Sequence, residues 1–161
     1  QEICFVPDDD YTLLLRSRRP EALRPGDIVD ADGKVLGRHE GYARYTIGQR
    51  RGLGVAAGVP MYVTAIDPAT ARVTIGPRER TMGTRLTAAR ANWHADVPER
   101  FDATVQVRYN HRGAPGAVRR TGPDSFAVEF AEPVHAITPG QAAVVYDGDR
   151  LLGGGWIEDA G

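Results

Sequence analysis

Met61-Tyr62-Val63-Thr64-Ala65-Ile66-Asp67-Pro68-Ala69-Thr70-Ala71-Arg72-Val73-Thr74-Ile75 holds two alternating, β-branched runs around a turn. Side chains in a strand point to opposite faces in turn, so this period of two buries one face and wets the other. Proline in Asp67-Pro68-Ala69-Thr70 presets a turn dihedral, and the stretch predicts a β-hairpin. The same grammar continues to the carboxy terminus. Further runs lie at Leu86 to Trp93, Ala103 to Tyr109, Gly116 to Arg120, Phe126 to Phe130, Ala142 to Tyr146 and Leu151 to Ile157, with Asp147-Gly148-Asp149 as a second strong turn signal. About seven or eight strands without a convincing helix predict a closed barrel, because closure removes exposed sheet edges.

Upstream the pattern changes. Asp10-Tyr11-Thr12-Leu13-Leu14-Leu15-Arg16 predicts a short helix with an acidic start and a basic end, which suit the helix dipole. Asp30-Ala31-Asp32-Gly33-Lys34 turns one short strand, opened by Pro25-Gly26, back into Val35-Leu36-Gly37. The fold class expected is mainly β: a small α+β module at residues 1–56, then an antiparallel β-barrel at residues 57–161, with Gly58-Val59-Pro60 as the junction.

At 161 residues, 42% apolar and 25% charged, the chain has a globular composition. No apolar stretch approaches the roughly 20 residues that span a bilayer, so a membrane role is not expected. A single cysteine forms no internal disulfide, which points to a cytoplasmic setting. The chain starts at Gln1 and enters the apolar Ile3-Cys4-Phe5-Val6 at once, as a segment of a longer protein would. Net charge is -1, yet Lys34 is the only lysine among 20 basic residues. Arginine's planar fork suits phosphate and base recognition, although arginine-rich codon usage produces the same bias.

Three segments could carry chemistry. Cys4 is the one soft nucleophile, although on residue type alone a single cysteine between Ile3 and Phe5 is more often a small buried hydrophobe than a reactive group. Pro7 and Asp8 to Asp10 turn the chain toward solvent behind it, while their carboxylates oppose thiolate formation. Gly41 to Gly54 packs two tyrosines, three arginines and four glycines into fourteen residues. Its glycines permit close backbone approach, Arg50 and Arg51 could meet phosphate, and the tyrosines could stack on bases; a twisted hairpin with a glycine-rich turn fits as well. Arg108-Tyr109-Asn110-His111-Arg112 ends a strand in a basic, aromatic loop. Thr138-Pro139-Gly140-Gln141 alone is only a turn. The four histidines lack metal-ligand spacing, so no metal is expected. No Gly-x-Ser-x-Gly elbow, Walker loop or carboxylate pair is present.

In order, Ile3-Cys4-Phe5-Val6-Pro7, His39-x-Gly41, Tyr45-Thr46-Ile47-Gly48-Gln49-Arg50-Arg51-Gly52-Leu53-Gly54, Arg108-Tyr109, Thr138-Pro139-Gly140-Gln141 and Leu152-Gly153-Gly154-Gly155 resemble the bacterial tRNA-specific 2-thiouridylases across the whole chain. That resemblance implies a central domain and a barrel like the second domain of elongation factor Tu, lacking the PP-loop domain that binds ATP and adenylates the wobble uridine. It implies that Cys4 is catalytic, receiving sulfur as a persulfide and passing it to the activated C2, and that the other catalytic cysteine, hence any disulfide of the full-length enzyme, involves the absent domain. Arg108, Tyr109 and Gln141 match tRNA contacts, and Arg50 and Arg51 are added from their chemistry. The expected partners are tRNA and a sulfur-relay donor protein, with no cofactor in this fragment, a monomeric state, and no turnover without the PP-loop domain. A non-catalytic tRNA-binding or protein-binding β-module is the competing expectation.

Overall fold

In the computed structural model, which describes residues 12–109 and 111–161, the strands run β1 (Gly26–Val29), β2 (Val35–His39), β3 (Tyr62–Asp67), β4 (Arg72–Gly76), β5 (Met82–Trp93), β6 (Arg100–Gln106), β7 (Ala114–Gly122), β8 (Ser125–His135), β9 (Ala142–Asp147) and β10 (Arg150–Ala160). The one α-helix among the described residues, α1, covers Thr12–Arg18. Two units result, divided between Arg80 and Thr81.

The first unit holds a four-stranded sheet in the order β2-β1-β4-β3, with β1 and β4 parallel. Its β1–β2 turn is held by Asp30, whose Oδ1 accepts the N–H groups of Asp32 (3.0 Å) and Lys34 (2.9 Å). An isolated hairpin is marginal in water. The β3–β4 hairpin supplies what β1 and β2 lack: Val63, Val73 and Ile75 bury against Ile28 and Leu53. This corrects the expected boundary. Residues 62–76 form a hairpin as read, but they complete the first sheet instead of entering the barrel, so Gly58-Val59-Pro60 is a loop inside the first unit.

Two groups meet the carbonyl of Ala71 at the β3–β4 turn. A Cβ on Gly26 would lie 1.8 Å from that oxygen, so only glycine fits there. His39 Nδ1 accepts the Gly41 N–H (3.0 Å), which leaves the proton on Nε2 to donate to Ala71 (2.9 Å). His39 is buried, and this bond joins the end of β2 to the second hairpin.

The second unit is a closed barrel in the order β10-β5-β8-β7-β6-β9, antiparallel throughout. Leu86, Val105, Val118, Phe126, Val128, Val145 and Ile157 fill its interior, and Trp93 plugs it edge-on to Phe101, 6.1 Å between centroids. The strand β10 fits between β5 and β9 because Gly153, Gly154 and Gly155 present no side chains: a Cβ on each would meet Asn92 O at 2.6 Å, Ala143 O at 2.7 Å and Ala89 O at 2.8 Å. A methyl group there forces the backbones apart, so Gly154→Ala is expected to destabilise the barrel by about 1–3 kcal/mol, the usual cost of overpacking. Urea unfolding followed by near-ultraviolet circular dichroism of Trp93 measures it, and a midpoint equal to that of the unchanged chain contradicts the account.

Candidate nucleic-acid interface

The glycine-rich segment 41–54 is built on a turn. Gly48 sits at φ 84° as the third residue of Thr46-Ile47-Gly48-Gln49, with Gln49 N–H donating to Thr46 O (2.9 Å), the arrangement of a type II turn that requires glycine there. The turn is stapled to β3 by Gly48 N–H to Val63 O (2.8 Å) and Val63 N–H to Gln49 O (2.9 Å). The Gln49 side chain closes the other side, accepting from Thr46 N–H (3.0 Å) and donating to Arg51 O (2.9 Å). Arg50 and Arg51 are thereby held outward, both exposed.

The two tyrosines are not free to stack on a base. Tyr42 and Tyr45 are half-buried against the first unit's core, and Tyr45 packs on the His39 ring at 5.3 Å. Burial raises the Tyr45 hydroxyl above its ordinary pKa, partly offset by the charge of Arg44. A packing role for both rings replaces the stacking role expected from composition.

In the barrel, Thr138-Pro139-Gly140-Gln141 repeats the same construction. Gly140 has φ 86°, Gln141 N–H donates to Thr138 O (3.2 Å), and the turn is stapled to β10 by Gly140 N–H to Ile157 O and Ile157 N–H to Gln141 O, each 2.8 Å. Gln141 is half-buried and immediately precedes β9. The end of β6 pairs with the start of β9, with Gln106 opposite Val144, so Arg108 and Tyr109 leave the barrel at the end where Gln141 enters it. The structure therefore brings these three expected contact residues to one end of the barrel.

Tyr109 is 79% exposed, an unusual placement for a ring without a partner to cover it. Arg108 is half-buried, and its Nε is buried without a hydrogen-bond partner among the described residues. A buried donor left unmet among the described residues is costly. The loop is shaped locally: Gln106 Nε2 donates to Tyr109 O (3.0 Å), His111 N–H donates to Arg108 O (3.1 Å), and Val107 N–H donates to His111 Nδ1 (3.4 Å).

Two further residues share the outer face of the barrel. Between Gly154 opposite Asn92 and Trp156 opposite Ala89, two residues of β5 face one of β10, a β-bulge. Its first residue, Arg90, adopts φ 51°, a left-handed conformation costing an L-residue on the order of 1 kcal/mol. The Arg90 guanidinium lies 5.6 Å above the centroid of the Trp156 ring, which is 47% exposed. Residue spacing gave no sign of either: Arg90 reads as one polar position in an alternating strand, and a bulge is invisible without its partner strand. Of the other expected site residues, Cys4 lies outside the described residues, and among those described no group of His, Cys, Asp and Glu could hold a metal ion.

Burial, and then the nearby charge of Arg108, lowers the His111 pKa below its ordinary 6.5. The unfolded chain then takes up a proton more readily than the folded one, so the stability involved is complete above pH 6.5 and falls as pH drops through the folded value. Protonation also removes the Nδ1 acceptor that holds Val107. The His111 resonance followed by NMR is expected to titrate with a midpoint below 6.5, and a midpoint at or above that value refutes this reading of the loop. Separately, Gln49→Ala removes two hydrogen bonds and is expected to loosen the 46–51 turn by about 1–2 kcal/mol, read as faster amide exchange at Thr46 and Gln49.

Residues 14–77 match the family model of a tRNA methyl transferase PRC-barrel domain, and residues 83–157 that of an aminomethyltransferase beta-barrel domain. The two matches fall on either side of the division seen in the structure. The chain is 53% identical over 160 residues to the tRNA-specific 2-thiouridylase MnmA of Carboxydothermus hydrogenoformans, covering 98% of this chain and 44% of that protein. It is 47% identical over 161 residues to the enzyme of that name from Geotalea uraniireducens (99% of this chain, 43% of the relative), and 50% identical over 159 residues to that of Chloroflexus aggregans (98% and 44%). The chain thus spans less than half the length of these relatives while aligning almost end to end. It belongs to the tRNA-specific 2-thiouridylase family, carrying the family's central and C-terminal domains.

Proposed function

We propose that this chain is the central and barrel portion of a tRNA-uridine 2-sulfurtransferase, and that the barrel end carrying Arg108, Tyr109 and Gln141 grips the tRNA. The observation that carries this is the convergence of an unmet buried arginine donor, a fully presented tyrosine and a turn glutamine at one end of a closed barrel. The half-buried Arg108 guanidinium offers its terminal N–H groups to a phosphate oxygen, and an exposed ring suits an unstacked loop base. Arg50 and Arg51, held outward by the Gln49 clamp, offer two further phosphate contacts.

Cys4 is the sulfur carrier in this reading. The outer sulfur of its persulfide attacks C2 of the adenylated uridine; a C–S bond forms, the C2–O bond to the phosphate breaks, and AMP leaves with the electron pair. A cysteine of the family's PP-loop domain then attacks the inner sulfur, leaving a disulfide and the thiolated base. ATP belongs to that domain. The described residues do not fit it: the glycine-rich segment 41–54 leads into a strand, and the backbone N–H groups of Gly48 and Gln49 are committed to Val63 and Thr46. The chain alone therefore binds tRNA without completing turnover, as a monomer in the cytoplasm, and takes its sulfur from a relay protein.

Two measurements check this. In the full-length protein supplied with ATP and a sulfur donor, Cys4→Ser is expected to abolish 2-thiouridine formation, and undiminished thiolation removes Cys4 from the mechanism. Arg108→Ala is expected to weaken tRNA binding and to lower the salt dependence by about one unit of slope, the loss of one phosphate contact. An unchanged slope reassigns Arg108 to base contact or to packing.

A further inference from the structure

We infer that Trp156 is a stacking platform for an unpaired base of the bound RNA, with Arg90 as its movable cover; this rests on the tRNA-binding reading above. Tryptophan is the largest apolar side chain, and a fold ordinarily buries most of it. The second tryptophan of the chain does this: Trp93 packs among Phe101 and Phe126 inside the barrel. Trp156 instead stays 47% exposed on the outer face. Its strand neighbours across the sheet are Ala89 and Ala142, two small residues that leave space around the ring.

A cation lies over the ring. Arg90 is placed there by the bulge opposite Gly155 and by its left-handed backbone, so the arrangement is made by the strand pairing itself and does not depend on a flexible loop. A guanidinium 5.6 Å from a ring centroid sits near the outer limit of cation–π attraction, close enough to guard the face and weak enough to yield it. Arg90 has no ion pair among the described residues, so a guanidinium displaced by a base is free to take the phosphate attached to that base. An aromatic face beside an available arginine is the pair of groups that holds single-stranded nucleotides without reading their sequence.

Position supports an RNA occupant over an apolar peptide. Trp156 pairs with Ala142, the residue after Gln141, and Ile157 is the residue to which the Gln141 turn is stapled. The platform thus adjoins the barrel end that carries Arg108, Tyr109 and Gln141, whose guanidinium and amide groups suit a base on an anionic backbone, although the exposed carboxylates of Glu158 and Asp124 lie on the same side.

The test titrates this chain with tRNA and follows tryptophan emission alongside filter binding. Since Trp93 is packed in the interior, a change on binding reports Trp156, and the Trp156→Phe variant shows whether it does. Quenching in the unchanged chain, its loss in Trp156→Phe, and a weakening of about 5- to 150-fold in Trp156→Ala are expected, the span of base–aromatic stacking. Filter-detected binding with unaltered emission and a Trp156→Ala affinity within twofold overturns the platform and leaves the tRNA reading standing. Absence of tRNA binding by the unchanged chain overturns both.

Discussion

Closure of the barrel at β10 is the constraint from which the rest of the second unit follows. The strand has to lie between β5 and β9 at a separation that tolerates no Cβ at three successive positions, and Gly153-Gly154-Gly155 meets that requirement. Once β10 is seated, its next residues are fixed: Trp156 faces outward and Ile157 inward. Ile157 exchanges backbone hydrogen bonds with the Thr138–Gln141 turn, and that turn starts β9 beside the end of β6. The bulge at Arg90 is the same closure seen from β5, which accommodates the glycines by inserting one extra residue opposite Gly155.

The two units share a device. In each, a Thr-x-Gly-Gln turn with glycine in the left-handed region is clamped to one residue of a neighbouring strand, Val63 in the first and Ile157 in the barrel. The glycine N–H donates to that residue and the glutamine carbonyl accepts from it. This makes a turn behave as a rung of the sheet, so the residues that follow leave from a rigid base. In the first unit they are Arg50 and Arg51, and in the barrel they are the opening residues of β9. Rigid presentation matters for recognition because ordering a long side chain on binding costs entropy that a preset backbone does not add to.

His39 and Gly26 show the same economy in the first sheet. A single carbonyl, that of Ala71, receives the His39 Nε2 proton and lies against the bare Cα of Gly26, which fixes the second hairpin beside β1 where only two residue pairs join them in parallel. His39 thus acts as a structural donor and acceptor, and Tyr45 packs on its ring.

Alternation and turn chemistry alone determined the strands. Five of the barrel strands, the 62–76 hairpin and the Asp30 turn overlap the runs that a period of two and the Gly, Pro and Asp signals mark, because those signals depend on neighbours along the chain, while β6 covers Arg100–Gln106 and so starts and ends three residues before the Ala103 to Tyr109 run. The motif order carried the family, and with it the expectation that Arg108, Tyr109 and Gln141 contact tRNA. Partnership between strands was decided only in three dimensions. The 62–76 hairpin reads identically whether it enters a barrel or completes a sheet, and burial of Ile28 against Val63 and Val73 made the choice. Tyr42 and Tyr45 look like base-stacking rings until the core claims them, while Trp156 looks like one more strand residue until the register of β5 and β10 turns it outward under Arg90. A sequence specifies the face a residue prefers, but what lies across from that face is set by pairing between segments distant in the chain.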